Sequence, residues 1–111
     1  MKQYLFVYGL FRDSARPLLG DMWSCGRASV KGSIYRVNEF YPGFKPDSDE
    51  QVWGEVFIID ETVLPQLDEF EGEEFHRRKI TTSTDLTCWI YEYIGDCKQF
   101  KKIKKGDWML R

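Results

Sequence analysis

The chain has 111 residues, 42% hydrophobic and 31% charged, proportions that belong to a globular protein and exclude disorder. Its 16 basic and 18 acidic residues leave a net charge of -2, which argues against a surface built wholly for nucleic acid. No apolar run approaches the roughly 18–20 residues of a membrane span.

The length fits one domain, expected over residues 1–111. Met1-Lys2-Gln3 runs straight into a strand-like segment, with no apolar stretch and small-residue cleavage site, so a cytoplasmic protein is expected. Cys25, Cys88 and Cys97 are odd in number and contain no CxxC pair, and His76 is the single histidine. Free thiols in a reducing compartment are expected, with neither a disulfide framework nor a metal site.

In chain order, Tyr4-Leu5-Phe6-Val7-Tyr8 is a continuous aromatic and β-branched run and predicts a buried strand. Gly9 ends it. Asp13 or Ser14 can cap a short helix that reaches Leu19, with Pro17 in its first turn and Gly20 as its stop. Ala28 to Val37 predicts a second strand with a bulge or close approach at Gly32. Tyr41-Pro42-Gly43 has the chemistry of a turn, and Lys45 to Gln51 that of a surface loop.

Val52 to Ile59 is the strongest strand signal. Asp60 or Thr62 then caps a helix that carries Pro65 in its first turn, runs to about Glu71 and stops at Gly72. Phe75 to Thr84 and Leu86 to Ile94 predict a hairpin joined near Asp85. The tail from Cys97 is basic and closes with Gly106-Asp107-Trp108. Strands outnumber helices without strict alternation. The expected fold is therefore α+β, a compact mixed barrel-like sheet with two short helices.

The second helix carries an anomaly. Leu64 and Leu67 are three residues apart, and Glu71 follows Leu64 by seven. Two helical turns return Glu71 to within about 20° of the same azimuth, which sets it on the stripe facing the interior. Three effects then raise its pKa: partial burial, the negative end of the helix dipole, and the acidic neighbours Asp68, Glu73 and Glu74. A glutamate tuned towards neutrality can take and return protons near physiological pH. The plain alternative is a solvated Glu71, or one paired with Arg77 or Arg78. The loop Tyr8-Gly9-Leu10-Phe11-Arg12 is the second candidate site, because a glycine after a buried strand permits close approach of backbone to a ligand. Its plain alternative is an ordinary strand exit.

Val7-Tyr8-Gly9-Leu10-Phe11-Arg12 resembles the Tyr-Gly-Thr-Leu-Arg signature of γ-glutamylcyclotransferase-like proteins, which include the AIG2-like proteins and γ-glutamylamine cyclotransferases. Tyr41-Pro42-Gly43, Gly54-Glu55-Val56-Phe57, Leu67-Asp68-Glu69-Phe70-Glu71-Gly72, Phe75-His76-Arg77 and Gly106-Asp107-Trp108 follow in the order of that family's remaining motifs. The resemblance spans nearly the whole chain. It implies a barrel-like fold with a cavity at one end and release of 5-oxoproline from a small-molecule γ-glutamyl amine or amino acid, with no cofactor. It also implies that Glu71 is the catalytic acid/base and that Tyr8, Gly9, Leu10 and Phe11 cradle the γ-glutamyl group, largely through backbone atoms. The chain departs from the pattern at Leu10, where Thr or Ser is usual, at Phe11, which replaces Leu, and at Phe75, which replaces Tyr.

Two other functions fit the sequence. One is a small-molecule binding module that kept the fold and lost the chemistry. The other is RNA binding through Lys98, Lys101, Lys102, Lys104 and Lys105, which lie beside Phe100 and Trp108. An exposed strand edge that uses lysines against sheet-to-sheet pairing explains the same tail.

Overall fold

A computed structural model describes residues 1–9, 23–39 and 41–108. Its strands are β1 (Lys2–Val7), β2 (Trp23–Lys31), β3 (Ser33–Arg36), β4 (Pro42–Lys45), β5 (Gln51–Asp60), β6 (Phe75–Thr81) and β7 (Thr87–Tyr93). A 3-10 turn (Glu61–Val63) leads into helix α1 (Leu64–Glu71) between β5 and β6. The helix expected between Asp13 and Leu19 lies outside the described residues.

The strands form one curled, half-barrel sheet in the order β2-β5-β1-β7-β4-β3, with β6 paired to β7. β5 is antiparallel to both β1 and β2. β7 is antiparallel to β6 along its length and parallel to β1 and to β4. It meets β1 at Leu5↔Trp89 and β4 further along at Phe44↔Glu92. The edge of β7 thus passes from one parallel neighbour to another, and β1 leaves the sheet where that change occurs.

Both faces of the sheet are covered, which explains why β1 reads as an unbroken apolar run. Phe6 and Tyr8 pack in one cluster with Val56, Ile90 and Trp108. Leu5 and Val7 pack in the other with Phe57, Tyr91, Leu64 and Leu67. Helix α1 therefore closes the second cluster with the leucines of the predicted stripe. Asp60 caps the 3-10 turn that leads into it, its Oδ1 accepting the Thr62 N–H at 3.0 Å. Pro65 sits in the first turn, and Gly72 ends the helix at φ 86°, a conformation that suits glycine.

Two expectations need correction. The segment from Ala28 to Val37 is two strands, broken at Gly32, whose φ of 151° takes the chain out of the ladder. Gly32 is the close approach expected there as the alternative to a bulge, since a Cβ would lie 2.5 Å from the Lys45 carbonyl oxygen, while the bulge of β2 falls between Ser24 and Gly26. Tyr41-Pro42-Gly43 opens a strand, because Pro42 to Lys45 pair with β3 and Phe44 reaches β7. The β6–β7 hairpin follows expectation, with Asp85 at φ 62° in its turn.

Candidate active site

Glu71 ends α1, one turn beyond Asp68 and in line with buried Leu64 and Leu67. Its side chain is half-buried, and desolvation pushes its carboxyl up to about 7. The acidic neighbours do not supply that rise, contrary to the expectation from sequence; desolvation accounts for it. Among the described residues, no hydrogen bond or ion pair engages the Glu71 carboxyl. The two arginines that could have neutralised it are committed elsewhere. Arg77 bonds Asp68, and Arg78 bonds Glu92 at 2.9 Å.

The exit of β1 lies within electrostatic reach. Burial first, and then the Glu71 charge, hold the Tyr8 phenol well above its ordinary pKa. Tyr8 is 7% exposed, and its hydroxyl is inserted between two strands. It donates to the Tyr91 carbonyl of β7 at 2.7 Å and accepts the Phe44 N–H of β4 at 3.2 Å. The phenol thus joins β7 to β4 where β1 departs. With its hydroxyl occupied, what Tyr8 can offer a ligand is backbone. Gly9 packs on Pro42: a Cβ at Gly9 would lie 2.8 Å from the Pro42 Cδ. Leu10 and Phe11 lie outside the described residues.

Tyr91 also lies within electrostatic reach of Glu71. Burial, the bond to Asp68 and the charges of Asp68 and Glu71 raise its pKa, with Arg77 opposing. Its hydroxyl donates to Asp68 Oδ1 at 2.7 Å. Arg77 completes the group, its Nε reaching Asp68 Oδ1 at 2.7 Å and its Nη2 reaching Oδ2 at 3.0 Å. Burial works against the Asp68 anion, but the bonds from Arg77 and Tyr91 outweigh it and hold the pKa below the usual carboxylate range. Sequence reasoning missed this network. Its signal was the hairpin register, which makes Arg77 and Tyr91 direct cross-strand partners.

Phe75, where the family pattern has Tyr, stacks edge-on to Tyr41 and Tyr93, with ring centroids 5.8 and 5.4 Å apart. The outer side of this corner opens a groove of about 560 Å³ lined by Asp68, Glu69, Gly72, Glu73, Phe75, His76 and Arg77. His76 is exposed, as strand alternation from Phe75 required. Among the described residues, no group of three His, Cys, Asp or Glu side chains is placed to hold a metal ion.

The C-terminal segment offers little for base stacking. Trp108 is fully buried, and Phe100 packs against Tyr93 at 6.1 Å. Lys102 pairs with Glu50. Asp107 is buried and pairs with Arg27 at 3.2 Å, so Asp107-Trp108 anchors this end of the chain. Among the described residues, no helix is long and apolar enough to cross a membrane.

The curled mixed sheet, with a half-buried glutamate within electrostatic reach of the exit of its first strand, has known relatives. The family described as "Gamma-glutamyl cyclotransferase, AIG2-like" matches residues 5–110, and the chain belongs to it. The gamma-glutamylcyclotransferase family protein YtfP of Escherichia coli is 37% identical over 118 residues, covering 96% of each chain. The solution structure of YtfP superposes with a TM-score of 0.78 at 30% identity, again over 96% of each chain. The crystal structure of YkqA from Bacillus subtilis superposes with a TM-score of 0.79 at 27% identity, covering 97% of this chain and 40% of that one.

Proposed function

We propose that this protein is a γ-glutamylcyclotransferase that releases 5-oxoproline from a γ-glutamyl amine or γ-glutamyl amino acid, with Glu71 as acid/base. The observation that carries this reading is the Glu71 carboxyl itself, desolvated, unpaired among the described residues, with its pKa pushed up to about 7 beside the exit of β1. Family membership supports the reaction class.

The reaction is an internal acyl transfer. The α-nitrogen of the substrate bonds to its own γ-carbon, and the bond from that carbon to the departing nitrogen breaks. Two protons leave the attacking nitrogen, two arrive on the departing one, and the amine leaves as an ammonium ion. Nucleophile and electrophile belong to one molecule, so the protein's task is to fold the glutamyl chain and move protons. Glu71, ionised at the start, takes the first proton from the substrate ammonium and returns it to the departing nitrogen. A base with a pKa near 7 suits both halves of that task. Backbone N–H groups of the loop that begins at Tyr8 and Gly9 anchor the α-carboxylate or the developing oxyanion.

The test is a panel of γ-glutamyl amines, γ-glutamyl amino acids and γ-glutamyl-ε-lysine assayed for 5-oxoproline. Release from at least one class is expected. Silence across the panel together with ligand-induced thermal stabilisation would instead identify a binding module on the same fold.

A further inference from the structure

We propose that Tyr91 is a positioning residue for Glu71, acting through the bond its hydroxyl donates to Asp68. The inference rests on the reading of Glu71 as acid/base. Asp68 and Glu71 share the last two turns of α1, and among the described residues nothing bonds the Glu71 carboxyl directly. Its place must therefore be set by its backbone, and Asp68 is where that backbone is tied to the sheet. Three hydrogen bonds converge on Asp68, two from Arg77 of β6 and one from Tyr91 of β7. Arg77 and Tyr91 are cross-strand partners, so a single rung of the hairpin grips the helix one turn before Glu71. The Tyr91 carbonyl also accepts the Tyr8 hydroxyl. Tyr91 thus connects the helix end that carries the acid/base to the strand exit that faces it.

The grip suits a positioning role because it is nearly silent in charge. Among the described residues, the phenols that feel the Glu71 charge are Tyr8 at the exit of β1 and Tyr91 of β7, both neutral at working pH, and Asp68 on its own helix is balanced by Arg77 of β6. Tyr91→Phe removes one hydroxyl and no charge. Arg77→Lys keeps the charge and loses the planar fork. Shifts of this kind cost rate more than binding, and a displacement of about 1 Å lowers rate by up to about a hundredfold.

The experiment compares the full chain with Tyr91→Phe and Arg77→Lys. Steady-state 5-oxoproline release is measured beside carboxyl-carbon NMR titration of Glu71, its signal assigned by loss in Glu71→Gln. In both variants kcat is expected to fall roughly tenfold or more with KM nearly unchanged. The Glu71 midpoint is expected to move down from about 7 as water reaches a loosened helix end. Lower thermal stability with kcat and midpoint both unchanged would show a merely structural bond and overturn the proposal. If the unmodified protein releases no 5-oxoproline, the catalytic reading fails by itself, and the titration still decides: a moved midpoint supports the grip and an unmoved one overturns it.

Discussion

Asp68 and Glu71 stand one turn apart on the same helix, and their pKa values are pushed in opposite directions. Bonds from Arg77 and Tyr91 hold Asp68 below the usual carboxylate range, while burial pushes Glu71 up to about 7. On the proposed mechanism, this separation leaves Asp68 as the anion and gives Glu71 the proton transfers. The distinction gives the activity a characteristic pH dependence. Glu71 must be ionised to accept the substrate proton, so kcat/KM is expected to rise with pH through a midpoint near 7. An acid limb near 4, the range of an ordinary glutamate, would mean that Glu71 works in water or not at all.

The same burial has a cost in stability. The folded pKa of Glu71, about 7, lies above the unfolded value of about 4.3. Its contribution is therefore fully present below the unfolded value and is lost as pH rises through about 7. The full loss is on the order of 3–4 kcal/mol, of which about 2–3 kcal/mol falls between about pH 5 and pH 8.5. Glu71→Gln removes this titration. Its stability relative to the unmodified protein should increase between about pH 5 and pH 8.5. Urea midpoints at those two pH values measure it, and a constant difference between the proteins would contradict it.

Tyr8→Phe tests the phenol that joins β7 to β4. The substitution leaves the Tyr91 carbonyl and the Phe44 N–H without their shared partner in a buried place. A loss of about 1–3 kcal/mol in urea unfolding is expected. A loss near zero would show that the two strands can pair without it.

Gly54→Ala tests why the Gly-Glu-Val segment begins as it does. An added Cβ would press on the Val7 carbonyl and the Phe6 ring, forcing β1 away from β5. Destabilisation of about 1–3 kcal/mol or more is expected, with 5-oxoproline release falling too because Val7 leads directly into Tyr8 and Gly9. Unchanged unfolding would show that β1 can shift freely.

How far the sequence revealed this arrangement follows from which interactions are local. The stripe of Leu64, Leu67 and Glu71 needs only helical geometry, and the structure buries Leu64 and Leu67 in the core and half-buries Glu71. The hairpin turn at Asp85 and the stop at Gly72 are equally local. Pro42 to Lys45 was misleading, because turn residues there are recruited into a strand by β3 and β7, which are distant in sequence. The Asp68, Arg77 and Tyr91 group stayed hidden for the same reason. It requires both the hairpin register and the docking of α1 on that hairpin. Acidic neighbours were an obvious cause for the raised Glu71 pKa, but Arg77 cancels the Asp68 charge, and burial is what remains.

The most direct measurement is 5-oxoproline release by Glu71→Gln, with the fold verified by circular dichroism and ligand binding followed by calorimetry. The variant is expected to fold, to bind the γ-glutamyl substrate, and to lose release by about a hundredfold or more, the scale of an absent acid/base. Release at the rate of the unmodified protein would remove Glu71 from the chemistry and contradict the mechanism at its centre.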